Sequence, residues 1–298
     1  MPDRLYIIGN GFDLHHGIAS SYAAFGTYLR AIDRETFDIV TRYIAESELW
    51  SDLESALAYL DVETLIGDAG SQLMGYGDDD WRDSANHDFQ WEIDRVVSAA
   101  SQSLREHFAT WVRQLQIPAW SALKVAPLRI DTDARFLNFN YTPSLERLYG
   151  VPGENILYLH GAAERPHDDI VLGHGWRRTE LDSLNRHIDP EAADVRVMEG
   201  HRIVDQYFTS TFKPAYEIIA QNEDFWASCS QIAEIFVLGH SLAPVDHEYF
   251  REIVRAAPES GVRWTVSYYG EIGDKPDQLA ALDVPHAAIR YVQLPDLA

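Results

Sequence analysis

Hydrophobic residues along this chain gather in short runs rather than in one long segment. The first is Leu5-Tyr6-Ile7-Ile8, a two-sided apolar strand pattern closed by Gly9-Asn10-Gly11. A strand that ends in glycines and leads into helix-compatible sequence is how the first βα unit of a nucleotide-binding fold opens. Comparable runs recur at 134–139, 155–159, 169–172, 234–238, 263–268 and 290–293. Each is short and apolar on both faces, as strands covered by helices on both sides should be. Two helical stretches are predicted, over 34–60 and 88–116. In the second, Ile93, Val96, Val97, Ala100, Leu104 and Phe108 recur at helical spacing. The segment 67–85 is rich in Gly, Asp and Ser and reads as a loop, with Asp78-Asp79-Asp80 a solvated acidic turn. The expected fold is α/β, a doubly wound, Rossmann-like parallel sheet in a single domain spanning 1–298. Residues 30–130 are expected to form a helical insertion or cap within it.

Charge narrows the choice of partners. The 24 basic residues face 47 acidic ones, a net charge of −23. A surface this negative repels phosphate backbones, and no basic cluster interrupts it, so nucleic acid is not an expected partner. No apolar run approaches the ~20 residues needed to span a bilayer, and the opening MPDRLYIIGN does not read as a signal peptide. The single cysteine, Cys229, excludes an internal disulfide framework and a Cys-rich zinc site. The expectation is a cytoplasmic, globular chain that does not enter the membrane.

Polar and glycine residues follow the strand-like runs: Gly9-Asn10-Gly11, Asn140-Tyr141, His160-Gly161, Gly173-His174-Gly175 and Gly239-His240-Ser241. In an open α/β sheet such carboxyl ends form the ligand crevice. Glycines at 9 and 11 allow backbone to approach a phosphate, or serve only a tight turn. Asp13 suits a helix cap or a ribose hydroxyl. Of His15 and His16, adjacent on a helix, one is expected to face the pocket and the other solvent. Asn140 offers both a donor and an acceptor, for a water or sugar hydroxyl, or for a turn. His160 fits a general base, or a histidine satisfied by backbone. A metal held by His160, His174 and His240 with Asp246 has no local spacing to support it, so no metal is expected. Ser241 lacks a nucleophile-elbow context. Trp50 and Glu54 stand one helical turn apart, as a core and surface pair or, for Glu54, a pocket residue.

The run from Leu5 to Phe25, LYIIGNGFDLHHGIASSYAAF, closely resembles the opening motif of AbiH-family phage abortive-infection proteins. The blocks FNYTPSLERLY (139–149), LYLHG (157–161) and LGHSLAPVDHEYF (238–250) follow in that family's order. The same blocks are more distantly similar to Sir2-like NAD-binding domains, which carry a T-x-N-Y-D block, an L-H-G block and a G-[YH]-S-L-x-x-x-D block. Thr142 stands where those relatives have Asp, and the paired cysteines of sirtuin deacylases are missing.

The resemblance implies an antiphage effector that binds and hydrolyses NAD or a related nucleotide at the N-glycosidic bond. It places catalysis on Asn140 and His160, by matching position. Ligand binding is assigned to Gly9, Asn10, Gly11, Phe12, Asp13, His16, Tyr141, His240, Ser241 and Asp246. NAD already carries a cationic leaving group, so such a site must stabilise an oxocarbenium-like centre and position one nucleophile. The alternatives are a non-catalytic nucleotide sensor and a toxin acting on RNA. Beyond the nucleotide, a second copy of the chain or a phage-derived trigger is left open as partner.

Overall fold

The computed structural model describes residues 3–73, 87–165, 167–258, 261–284 and 289–298. They divide into two compact units, one of residues 1–24, 109–171 and 214–298, the other of residues 25–108 and 172–213.

The first unit is built on six parallel strands: β1 (Arg4–Ile8), β2 (Arg135–Asn138), β3 (Ile156–Tyr158), β4 (Glu234–Leu238), β5 (Arg263–Tyr268) and β6 (Ile289–Gln293). Their order across the sheet is β3-β2-β1-β4-β5-β6. This is the Rossmann order, and its direction reverses between β1 and β4. The two-sided strand pattern is accounted for by two cores. Leu5 and Ile7 pack on one face with Val237, Tyr249 and Phe250, while Tyr6 and Ile8 pack on the other with Phe12, Phe136 and Leu145. In register, Tyr6 stacks on Phe136 and Phe236, with ring centroids 5.0 and 4.8 Å apart. Cross-strand aromatic pairs of this kind add to burial in holding neighbouring strands together.

Six of the seven strand-like runs are strands. The seventh, 169–172, is not. Its backbone is spent on loop contacts: the Val171 N–H donates to the His160 carbonyl, and the Val171 carbonyl accepts from the Tyr141 hydroxyl. Gly161 turns the chain there with φ +87°, a conformation that favours glycine.

Helices α1 (Asn10–His15), α8 (Ser144–Tyr149) and α12 (His247–Ala256) follow β1, β2 and β4. The stretch predicted as one helix over 34–60 is instead α3 (Arg34–Tyr43) and the short α4 (Leu53–Ala56), with an antiparallel bridge from Ile44 to Leu60. Asp52 restarts a helix inside that stretch by accepting a backbone N–H three residues on, and Asp33 before it and Asp61 after it cap their helices in the same way. The last of these starts α5 (Val62–Gly70), so the predicted loop begins only after Gly70, and Asp78-Asp79-Asp80 lies outside the described residues. The predicted 88–116 helix is α6 (Asp88–Ser98) and α7 (Leu104–Gln114), joined by a π-helical segment Ala99–Ser103.

The second unit also contains α9 (Val195–Ser210), which packs on α6. Gly200 makes the close approach feasible, since a Cβ there would lie 2.5 Å from the Phe89 ring. In this unit Lys213, its side chain wholly buried, pairs with Glu54 at 2.8 Å. Trp50 does not share that role and stacks on Phe37. Gly173-His174-Gly175 belongs here, with His174 bridged to Phe212 and its pKa pushed down to about 4 by burial.

Candidate functional site

At the switch point, the turns after β1 and β4 are in direct backbone contact. The Gly9 N–H donates to the Leu238 carbonyl, and the Gly11 N–H donates to the Gly239 carbonyl at 2.7 Å. A Cβ on Gly9 would lie 2.5 Å from His240 Cα, and one on Gly11 would lie 2.8 Å from the Gly239 carbonyl oxygen. The glycines therefore let two loops meet. The Phe12 N–H is likewise donated to the Gly9 carbonyl, so three of the loop's N–H groups are committed to protein. Gly239 faces the same junction with φ +68°, and Leu242, a non-glycine at φ +64°, completes the turn in a strained backbone region.

Around this junction the predicted residues form two clusters, because Phe139 and Asn140 are adjacent and point different ways. Asn140 turns toward α1. Its Nδ2 donates to the Gly9 carbonyl at 3.1 Å. Asp13 is fully buried and accepts from the Thr142 hydroxyl and, at 2.7 Å, from the Ser144 hydroxyl. Burial pushes its pKa up to about 6, against the opposing pull of these donors. Asp13 is neither a cap nor at the surface; it ties the loop after β2 to α1.

Phe139 turns the other way, into the core under α12. Its ring meets His240 at 4.4 Å and His160 at 5.6 Å, centroid to centroid. His160 is also against Tyr141 and Tyr249, and it is buried. Both nitrogens of His240 are engaged: Nδ1 accepts from the Leu242 N–H, and Nε2 lies 3.3 Å from the Asp246 carboxylate. With Nδ1 an acceptor, the proton sits on Nε2 and points to Asp246, which fixes the tautomer.

Several assigned binding residues are held by protein groups. Phe12 is fully buried in the core beneath α1, in contact with His16 and Tyr149. His16, rather than facing a pocket, bonds through Nδ1 to the Phe12 carbonyl (2.7 Å) and through Nε2 to the Tyr149 hydroxyl (2.6 Å). Burial lowers its pKa, which favours the neutral ring. The Asn10 side chain clamps Ser20, donating to its carbonyl and accepting from its hydroxyl. The Tyr141 hydroxyl is directed to the loop carbonyl of Val171. Ser241 is exposed at the rim, its hydroxyl accepting from the Ala243 N–H.

Three residues were not assigned to the site from the sequence. Thr142 and Ser144 read as a turn and a helix start in sequence, with nothing to reveal a buried carboxylate opposite them. Lys275, the first residue of the helix Lys275–Ala280 after β5, donates from Nζ to the His240 carbonyl at 2.8 Å, and burial lowers its pKa. Among the described residues no group of three or more His, Cys, Asp or Glu is arranged to hold a metal ion. Two surface depressions are lined by other residues. One, of about 660 Å³, is bounded by Arg34, Arg42, Asp68 and Arg95 of the second unit, and its arginines are paired with carboxylates. The other, of about 540 Å³, lies at the amino ends of β2 and β3.

The topology and the loops at its switch point define an α/β protein of the doubly wound, Rossmann-like class. The chain belongs to the family described as bacteriophage abortive infection AbiH, whose model matches residues 5–268. Its role is accordingly in phage abortive infection. No curated protein and no solved structure matches the chain. Among the described residues no helix is long and apolar enough to cross a membrane.

Proposed function

We propose that this protein acts in abortive infection by binding NAD or a related nucleotide at the carboxyl ends of β1 and β4 and hydrolysing its N-glycosidic bond. The observation that carries the reading is the strand order, which puts the Gly9 and Gly239 turns at the reversal point where doubly wound sheets bind ligands. The Sir2-like resemblance of the blocks around Asn140, His160 and His240 agrees with it. So does Thr142, the departure from that resemblance: its hydroxyl donates to Asp13, so a carboxylate from α1 stands beside that position.

In this reading His160 takes a proton from water and Asn140 orients a hydroxyl. The cationic nicotinamide needs no acid to leave, so a neutral imidazole and an amide suffice. The Gly9 and Gly11 N–H groups are committed to β4, so a pyrophosphate has to be met by other rim groups, such as Ser241 and Lys275, or by opening of the junction. An opening step suits an effector held idle until infection.

The burial of His160 among Phe139, Tyr141 and Tyr249 favours a second reading, a nucleotide sensor without turnover. Incubation with NAD followed by chromatography separates the two. Nicotinamide release that is lost in His160→Asn, with the melting temperature kept, supports hydrolysis. Tight binding without release supports the sensor, and neither binding nor release defeats both.

A further inference from the structure

The turn after β4 is held by side chains from three elements that follow it in the chain. The Gly239 N–H donates to Ser267 Oγ of β5 at 2.7 Å, the Leu242 carbonyl accepts from His247 Nε2 of α12 at 3.2 Å, and the His240 carbonyl accepts from Lys275 Nζ at 2.8 Å. Within the turn, His240 Nδ1 takes the Leu242 N–H. What these bonds hold is strained. Leu242 is wholly buried and has φ +64°, in the left-handed region that a branched side chain rarely enters. Such outliers persist where their surroundings over-determine them, and they gather at ligand clamps and switches. The turn also closes the loop after β1, because the Gly239 carbonyl oxygen takes the Gly11 N–H at 2.7 Å.

One of the three ties differs from the others. Ser267 and His247 reach the turn through short side chains on a strand and on a long helix. Lys275 reaches it along a flexible four-carbon stem and brings a charge. Among the described residues this ammonium has no carboxylate partner, although Asp274 and Asp277 lie beside it in a chain with 47 acidic residues. Its one hydrogen bond goes to the carbonyl of a strained turn. A bond from a charged donor outweighs a neutral one, and this one depends on a stem that can swing away.

We propose that the turn after β4 is a gate and that Lys275 is its latch. While the ammonium holds the His240 carbonyl, the Gly239 carbonyl oxygen occupies the Gly11 N–H. When the latch lets go, the turn relaxes at Leu242, and a phosphate oxygen of the nucleotide takes the place of the Gly239 carbonyl. The phosphate half rests on the nucleotide reading above; the latch itself does not.

The latch is tested by hydrogen exchange with mass spectrometry on the full chain. Lys275→Met should speed exchange at least ~10-fold in peptides covering 9–12 and 239–243, the effect of losing one hydrogen bond to a charged donor. Peptides covering β2 and β3 should be unchanged. Lys275→Arg keeps a charged donor and should keep the protection. Unchanged exchange in Lys275→Met, or exchange raised equally throughout the sheet, overturns the latch. If Lys275→Met does not fold, Lys275→Gln takes its place and is judged by the same outcomes.

The phosphate half is tested by calorimetry with NAD. A ligand that needs an open gate binds more weakly by the fraction of time the gate is open, so Lys275→Met should bind NAD ~10-fold or more tightly than the unsubstituted protein. Weaker binding makes Lys275 a phosphate contact and overturns this half, as does equal binding. No binding or cleavage of NAD by either protein defeats the nucleotide reading together with this half, while hydrogen exchange still decides the latch.

Discussion

Replacing Asp13 by Asn keeps the shape of the side chain and removes its charge, which isolates the cost of burying that charge. Asp13 is fully buried, and burial is the leading cause that raises its pKa from 3.8 to about 6. A difference of this size is worth about 3 kcal/mol at ~1.4 kcal/mol per tenfold change in proton affinity. The folded state binds the proton more tightly than the unfolded one. Between the two pKa values folding therefore takes up a proton, and stability falls as pH rises from about 4 through about 6. Below pH 4 both states are protonated and Asp13 costs nothing; above pH 6 the full penalty is present. With an unfolded value of 3.8 and a folded value near 6, about 1.4 kcal/mol of that loss falls between pH 5 and pH 8. The assay is urea unfolding of both proteins at half-unit steps across that range. Other titrating groups are common to the two chains, so they cancel in the difference. The Asp13→Asn protein should gain on the unsubstituted one by about 1.4 kcal/mol as pH rises from 5 to 8. A pH-independent difference, or one that shrinks as pH rises, would refute the claim that desolvation dominates at Asp13.

At the switch point, Gly239→Ala should cost several kcal/mol, because its Cβ would fall 2.1 Å from the Phe12 nitrogen at a φ of +68°; a melting temperature within 2 °C or so of the unsubstituted protein would contradict the packed junction. Gly11→Val should lower stability too, since its neighbour is the Gly239 backbone, and thermal melting in the absence of nucleotide reads this directly. In the second unit, Lys213→Met removes the ammonium 2.8 Å from the buried Glu54 carboxylate and should cost about 3–5 kcal/mol. The double variant Lys213→Met, Glu54→Gln should recover much of that loss in urea unfolding; no recovery would mean that packing, not charge, sets the cost.

Much of the first unit could be read from the chain because its signals are local. The apolar, two-sided run of Leu5 to Ile8 makes a central strand whatever lies beside it, and glycines at 9 and 11 announce that something approaches closely. The runs at 134–139, 155–159, 234–238, 263–268 and 290–293 carry the same information, and parallel pairing follows from the helices between them. The run at 169–172 has equal apolar content and forms no strand, because its backbone partners are a hydroxyl and a carbonyl of neighbouring loops. The aspartate cap at 52 was visible as a residue, but helical periodicity ran through it and joined helices that it divides, while the caps at 33 and 61 flank the predicted stretch.

At the site, residue types were legible and their partners were not. Position after a strand placed Asn140, His160 and His240 at the rim. Side-chain alternation past the strand end then sent Asn140 toward the Gly9 carbonyl and left His160 and His240 with Phe139, a separation that depends on where each strand stops. What approaches Gly9 and Gly11 is the β4 turn, 228 or more residues away in the chain. Asp13 offered two readings as a sequence residue, and it became the hub of a loop only when Thr142 and Ser144 were brought against it. Local physics writes strands, caps and turns into the sequence. Which buried donor meets which buried acceptor is set by contacts between distant segments, and only the folded chain decides it.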